Sequence, residues 1–155
     1  MKILETERLI IREFTAEDID SLYEMYDDED VAKFVGTLSR DKEEETEILK
    51  AYIKMIYGFF GYGYWAVVLK ENNMVVGKIG LNNREYNGET VVELGYIINA
   101  QYRHRGYAKE ACRAILKYAA DELETEVDCF INKDNTASVN LARSLEKCGL
   151  RIHFI

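Results

Sequence analysis

The chain is predicted to fold as an α/β unit, a mixed sheet with helices packed on both faces. Three observations carry that expectation. Strand-like runs at Tyr64 to Leu69, Met74 to Leu81 and Val91 to Ile98 follow one another through short turn signals, as in a meander. A helical stretch after residue 106, a short strand and a second helical stretch then alternate. Strands that pair in a meander and afterwards alternate with helices build one sheet covered on two sides.

Taken in order, Arg8 to Arg12 has strand character, and Thr15-Ala16-Glu17-Asp18 supplies an N-cap and early acids for a helix with Ile19, Leu22, Tyr23 and Tyr26 on one side. A second helix starts near Asp41, repeats Ile48, Leu49, Tyr52, Ile53 and Ile56 at helical spacing, and ends before Gly58 or Gly61. Glu71-Asn72-Asn73 and Asn87-Gly88 are turns. The helix after Gly106 buries Ala108, Ala111, Cys112, Ile115, Leu116 and Ala119, which leaves Lys109, Arg113 and Lys117 outward. Val127 to Ile131 reads as a strand, Asn135 to Lys147 as a helix with Leu141, Leu145 and Cys148 inward, and Arg151 to Ile155 as one short strand. All 155 residues are expected to form one domain, since a chain of 48% hydrophobic content can bury a sizeable core unaided.

The net charge of -8 is concentrated in the first fifty residues, which hold 16 acids against 7 bases, while the remainder holds 12 against 13. No broad basic surface exists, so nucleic acid is not an expected partner. The acidic runs Asp27-Asp28-Glu29-Asp30 and Asp41-Lys42-Glu43-Glu44-Glu45 are read as solvated helix ends, with an acidic wall for a cationic acceptor as the alternative. Cys112, Cys129 and Cys148 lack metal-binding spacing and are read as reduced core thiols, so no metal is expected. The first residues lack the apolar run of a signal peptide and no eighteen-residue apolar stretch occurs, so a cytoplasmic location away from membranes is expected.

The most informative stretch is Gln101-Tyr102-Arg103-His104-Arg105-Gly106-Tyr107-Ala108. It joins a strand to a helix whose first amide N–H groups have no intrahelical acceptor and carry the positive end of the dipole. Gly106 allows close approach to the backbone, and Arg103, His104 and Arg105 add positive or potentially positive charge, a combination suited to a diphosphate. Neither GxxxxGK nor GxGxxG is present, which argues against P-loop and dinucleotide folds.

Arg103-x-x-Gly106-x-Ala108 after Glu93-Leu94-Gly95-Tyr96-Ile97-Ile98 resembles the acetyl-coenzyme A motif of the GNAT superfamily of N-acetyltransferases. The resemblance is nearest to its RimJ/RimL-type branch. The opening Thr6-Glu7-Arg8-Leu9-Ile10-Ile11-Arg12 and the later Asn135-Thr136-Ala137-Ser138 with Glu146-Lys147-Cys148-Gly149-Leu150 extend it over nearly the whole chain. It implies a central, mostly antiparallel sheet with a splayed strand pair, and acetyl-coenzyme A (acetyl-CoA) as acetyl donor. The arm of that cosubstrate is implied to bond the backbone of Tyr96, Ile97 and Ile98, and its diphosphate to meet Arg103, His104, Arg105, Gly106, Tyr107 and Ala108. Asn135 and Asn140 are implied further contacts. Direct transfer to an amine needs a base, for which Glu93 is the candidate, and a proton for the departing thiolate, for which Ser138 is. Glu93 as a strand brace and Ser138 as a first-turn hydroxyl are the structural alternatives. The family's customary helix tyrosine is replaced here by Leu145.

The acceptor is then a protein N-terminus or a small amine such as a polyamine. The aromatic cluster Phe59-Phe60-Gly61-Tyr62-Gly63-Tyr64-Trp65 is a candidate pocket wall or simply core. The family continues for further strands past the position where this chain stops, so a C-terminal strand is expected to be missing. The open edge invites a second copy, giving a homodimer as one expectation. The alternative function is a noncatalytic acyl-CoA-binding module with an incomplete acceptor site.

Overall fold

A computed structural model describes all of residues 1–155. Seven strands form one sheet in sequence order: β1 (Lys2–Glu5), β2 (Leu9–Arg12), β3 (Tyr64–Leu69), β4 (Val75–Tyr86), β5 (Glu89–Ile98), β6 (Asp128–Ile131) and β7 (Arg151–Phe154). The first four pairings are antiparallel, whereas β5 to β6 and β6 to β7 are parallel. The sheet is therefore mixed and mostly antiparallel, as expected, and β7 is the short last strand.

The two faces follow from period-2 alternation. Trp65, Val67 and Leu69 point to the larger core with Leu9, Ile11 and Leu94, against α5 (Tyr107–Asp121) and α6 (Thr136–Ser144). Ala66, Val68 and Ile97 point the other way, against α1 (Ile19–Tyr26), α2 (Glu29–Phe34) and α3 (Lys42–Tyr52). Helix α3 continues as a π-helical turn at Ile53–Tyr57 and the short α4 (Gly58–Phe60), which stops at Gly61 with φ 74°. The expected helix end is thus borne out, and the left-handed conformation is the reason glycine stands there.

Four readings need correction. The strand β1 was not anticipated, because at a sheet edge only Ile3 and Leu4 of its four residues are even half-buried. The helix α2 was missed as well: it is six residues long and only Val31 is buried, so its periodicity is too short to detect. The buried stripe of α5 begins at Tyr107 rather than Ala108. Cys148 is exposed rather than inward, because α6 gives way after Ser144 to the 3-10 turn Glu146–Cys148, closed by Gly149 at φ 90°, and the inward position passes to Leu150.

The extension of β4 beyond Leu81 also escapes the sequence pattern. Asn82 to Tyr86 pair residue by residue with Glu93 to Glu89, a polar hairpin held by its backbone ladder rather than by apolar alternation. Asn87 (φ 50°) and Gly88 (φ 80°) close it with two left-handed residues, the geometry Asn-Gly favours.

Candidate active site

The site begins with a break in the sheet. Strands β4 and β5 share ten paired positions, but β5 and β6 share only Glu93 and Asp128. From Leu94 to Ile98 the far edge of β5 has no ladder partner, so this is the splayed pair that the family resemblance implied. Apart from the Ile98 carbonyl, which Arg103 uses, the backbone groups on this edge are free to bond an extended ligand.

Two cavities meet at this gap. One, of about 540 Å³, lies on the α5 and α6 side and is lined by Ile98, Tyr102, Arg103, His104, Gly106, Tyr107, Ala108 and Lys109. The other, of about 410 Å³, opens toward α1 and α2 and is lined by Tyr26, Lys33, Tyr64, Lys78, Glu93, Gly95, Phe130 and Asn132, among others. Phe34, Val35, Tyr96, Ile97, Asn135 and Ser138 belong to both.

In the first cavity, Gly106 is the N-cap of α5 with φ 81°, and no side chain caps the helix. The first intrahelical bond runs from the Glu110 amide to the Gly106 carbonyl, which leaves the amides of the first turn open to the cavity. His104 is also left-handed, at φ 63°, so the loop turns sharply on both sides of Arg105. Arg103 is fixed from behind: Nε donates to the Ile98 carbonyl at 3.0 Å and its terminal NH1 to Asp28 Oδ2 at 3.0 Å. Asp28 meanwhile caps α2 through Oδ1, accepting from the amides of Asp30 and Val31. Those backbone bonds, opposed by partial burial and helped by Arg103, hold the Asp28 carboxyl below its ordinary pKa. One aspartate therefore ties α2 to the loop before α5.

Glu110 is occupied too. Its carboxylate accepts from the Thr6 hydroxyl at 2.5 Å and from Arg8 Nε at 2.7 Å, so the acid inside the basic run faces β2 and not the cavity. Arg8 also donates to the Arg105 carbonyl at 2.9 Å and lies over the Tyr107 ring, so the opening Thr6 to Arg8 segment buttresses the loop.

At the junction, Asn135 caps α6, its Oδ1 accepting from the Ser138 amide at 3.4 Å. The Ser138 hydroxyl lies beside Tyr96, whose own hydroxyl is buried without a hydrogen-bond partner. Burial drives the Tyr96 phenol well above its usual pKa, against the smaller effect of Ser138, so it stays protonated at neutral pH. An orphaned hydroxyl at the meeting point of two cavities suits a polar ligand group there.

In the second cavity, Glu93 bonds Arg84 on the adjacent strand at 3.0 Å, and its side chain is 17% exposed. The bracing contact is thus present, yet the carboxylate still lines the cavity. The Tyr64 ring lies across Gly95, where a Cβ would come within 2.6 Å of the tyrosine hydroxyl. Burial, and then the Glu93 charge, hold the Tyr64 phenol protonated.

The expected residues fall into clear groups. Tyr96, Ile97, Ile98, Arg103, His104, Gly106, Tyr107, Ala108, Asn135 and Ser138 converge on the first cavity, and Glu93 lies on the second. Arg105 packs toward Tyr102, and the exposed Asn140 sits on α6; neither lines either of these two cavities. Of the aromatic cluster only Tyr64 lines the second cavity, while Trp65 is core and Phe59 and Phe60 are exposed. No acid of the first fifty residues lines the second cavity; Asp30 lies at the first. Sequence reasoning missed Tyr26, Lys33, Lys78 and Phe130. For Lys78 a signal existed, a lysine inside the apolar run Met74 to Leu81.

A family model described as an acetyltransferase (GNAT) domain matches residues 8–151. The chain belongs to this family. It is similar to the uncharacterized N-acetyltransferase YnaD of Bacillus subtilis (strain 168), with 30% identity over 147 residues, 94% of this chain and 81% of that protein. Among solved structures it is similar to an acetyltransferase (GNAT family) from Bacillus anthracis, at 30% identity and TM-score 0.75 over 96% of this chain and 82% of that one. The fold alone is shared with RimL, a ribosomal L7/L12 alpha-N-protein acetyltransferase in complex with coenzyme A, at 16% identity and TM-score 0.72 over 93% and 82% of the two chains. The protein is accordingly an acetyltransferase, and acetyl-CoA is the donor that its fold uses.

Proposed function

We propose that this GNAT enzyme moves an acetyl group directly from acetyl-CoA to a primary amine, with both substrates bound at once. The observation that carries the reading is the pair of cavities meeting at the gap between β5 and β6. The donor enters from the α5 side and the amine from the α1 and α2 side, so no covalent enzyme intermediate is needed. The residues fit the donor: the uncapped first turn of α5 beside Arg103, His104 and Lys109 holds its diphosphate. The free edge of β5 at Tyr96 to Ile98 holds its extended arm, and the Asn135 amide group that is not used in capping meets the same arm.

Glu93 takes the amine proton, directly or through a water, as nitrogen attacks the thioester carbonyl. The carbon–sulfur bond breaks, and Ser138, with the protonated Tyr96 hydroxyl beside it, supplies the proton to the leaving sulfur. The acceptor is a protein N-terminus, in the manner of the RimJ/RimL branch, or a small amine. The solved structure of RimL named above supports the first only through a shared fold. Three unbridged thiols suit a reducing compartment, and a cytoplasmic location goes with this reading.

Calorimetric titration with acetyl-CoA and free coenzyme A tests it. Saturable binding that disappears in the Arg103→Ala/Gly106→Glu double variant is expected. A wild-type protein that binds neither would sink the reading.

A further inference from the structure

The cavity on the α1 and α2 side contains a cation that the protein leaves without an anion. Lys78 stands on β4 opposite Ile97 and is half-buried. Its Nζ donates to the Tyr26 hydroxyl at 3.0 Å and lies 5.0 Å and 5.4 Å from the ring centroids of Tyr64 and Tyr26. Two aromatic faces and one neutral hydroxyl suit an ammonium but do not neutralise it. Glu93, the one acidic side chain that lines this cavity, is engaged with Arg84, while Asp28 and Asp18 pair with Arg103 and Arg12. A second lining cation, Lys33, packs over Phe34 and pairs with no acid either.

A half-buried cation that has given up water without gaining a counterion is held at a cost, and a ligand that brings an anion removes it. Resting on the acetyl-transfer reading, we propose that the acceptor is a primary amine that also carries a carboxylate. The carboxylate pairs with Lys78 and the amine points toward Glu93. Glu93 and the Lys78 partner Ile97 lie on one face of β5, four residues apart, about 13 Å at the usual rise per residue. Gly95 lies between them with the Tyr64 ring packed across it, so the ring forms the floor of the cavity there. An extended amino carboxylate, with several atoms between its two charges, spans that floor. A polyamine sets a second cation against Lys78 and Lys33, and is disfavoured for that reason.

The test uses the full chain, a coenzyme A release assay, and straight-chain ω-amino carboxylates of increasing length beside their matching ω-amino amides and diamines. The expected result is a carboxylate whose kcat/KM exceeds that of its amide by about ten- to a hundredfold, the worth of a hydrogen bond to a charged group, with the diamine poorest. Lys78→Met should raise KM for the carboxylate to the level of the amide while acetyl-CoA titrates as in the wild type, and Lys78→Arg should restore part of the preference. Equal use of the carboxylate and its amide, a preference that survives Lys78→Met, or acetyl-CoA binding with no carboxylate acetylated would each overturn the proposal. Failure of acetyl-CoA to bind would instead strike the acetyl-transfer reading itself, so the two failures are told apart by the titration.

Discussion

The two cavities are built in different ways. On the donor side the chain uses backbone, a single glycine and a run of consecutive residues, with Arg103 to Lys109 supplying the longest continuous stretch of the wall. On the acceptor side it uses side chains from α1, α2, β3, β4, β5 and β6, no two of which carry a shared motif. Binding a common cosubstrate through peptide groups constrains local conformation, which short sequence patterns record. Shaping a pocket for one acceptor constrains only which side chains meet in space.

The largest effect expected falls on chemistry. Glu93→Gln should lower kcat by roughly 10²- to 10⁴-fold, the usual worth of a positioned base, while the acetyl-CoA Kd measured by calorimetry stays within about twofold of wild type. A loss of donor affinity instead would mean that the two cavities are not separable at β5.

Next in size is the donor side. Gly106→Glu places a side chain and a negative charge at a position with φ 81° that caps the open helix end, and should weaken acetyl-CoA by about a hundredfold or more in the same titration. An unchanged Kd would show that the diphosphate does not use this helix end.

Gly80→Ala acts on the pairing of β3 with β4. An added Cβ would lie 2.0 Å from the Gly63 carbonyl oxygen, so β3 and β4 must separate, and a loss of about 1–3 kcal/mol in denaturant unfolding is expected. Gly95→Ala meets only the Tyr64 side chain at 2.6 Å, which can turn aside. That variant should raise acceptor KM and leave donor binding alone, a kinetic comparison that sharpens the division between the cavities.

The smallest effect concerns pH. Burial works against ionised Asp18, but bidentate bonds from Arg12 at 2.8 and 3.0 Å and the Thr15 amide outweigh it, so its folded pKa lies below the ordinary value. Asp28 is depressed as well. Groups of this sign add stability that is fully present above the unfolded pKa, about 4, and is lost as pH falls through the lower folded value. Melting temperatures should therefore fall as pH drops below about 4 and change little from these two groups above about pH 5. Asp18→Asn should flatten part of that fall. Because Asp28 ties α2 to Arg103, acid should also loosen acetyl-CoA before the core melts.

Much of the fold was legible because it rests on local rules. The apolar runs of β3 and β5, the Asn87-Gly88 hairpin, the stripe of α5 and the stop at Gly61 each follow from a few neighbouring residues. What escaped was short or polar: β1 at the sheet edge, the six-residue α2, and the end of β4, where a backbone ladder acts without apolar alternation. In the site, Gly106, Asn135 and Ser138 stood out by position, whereas the use of Asp28 to anchor Arg103, 75 residues away, leaves no trace in the sequence.

The sequence alone determined the sheet-and-helix order, the open helix end and the family, since each depends on residues close together along the chain. Only the tertiary structure decided which acids were already spent, that Tyr96 keeps a buried hydroxyl without a partner, and that Lys78 faces a cavity with no counterion. Charge pairing and burial are properties of neighbours in space, and a one-dimensional pattern does not record which distant side chains become neighbours.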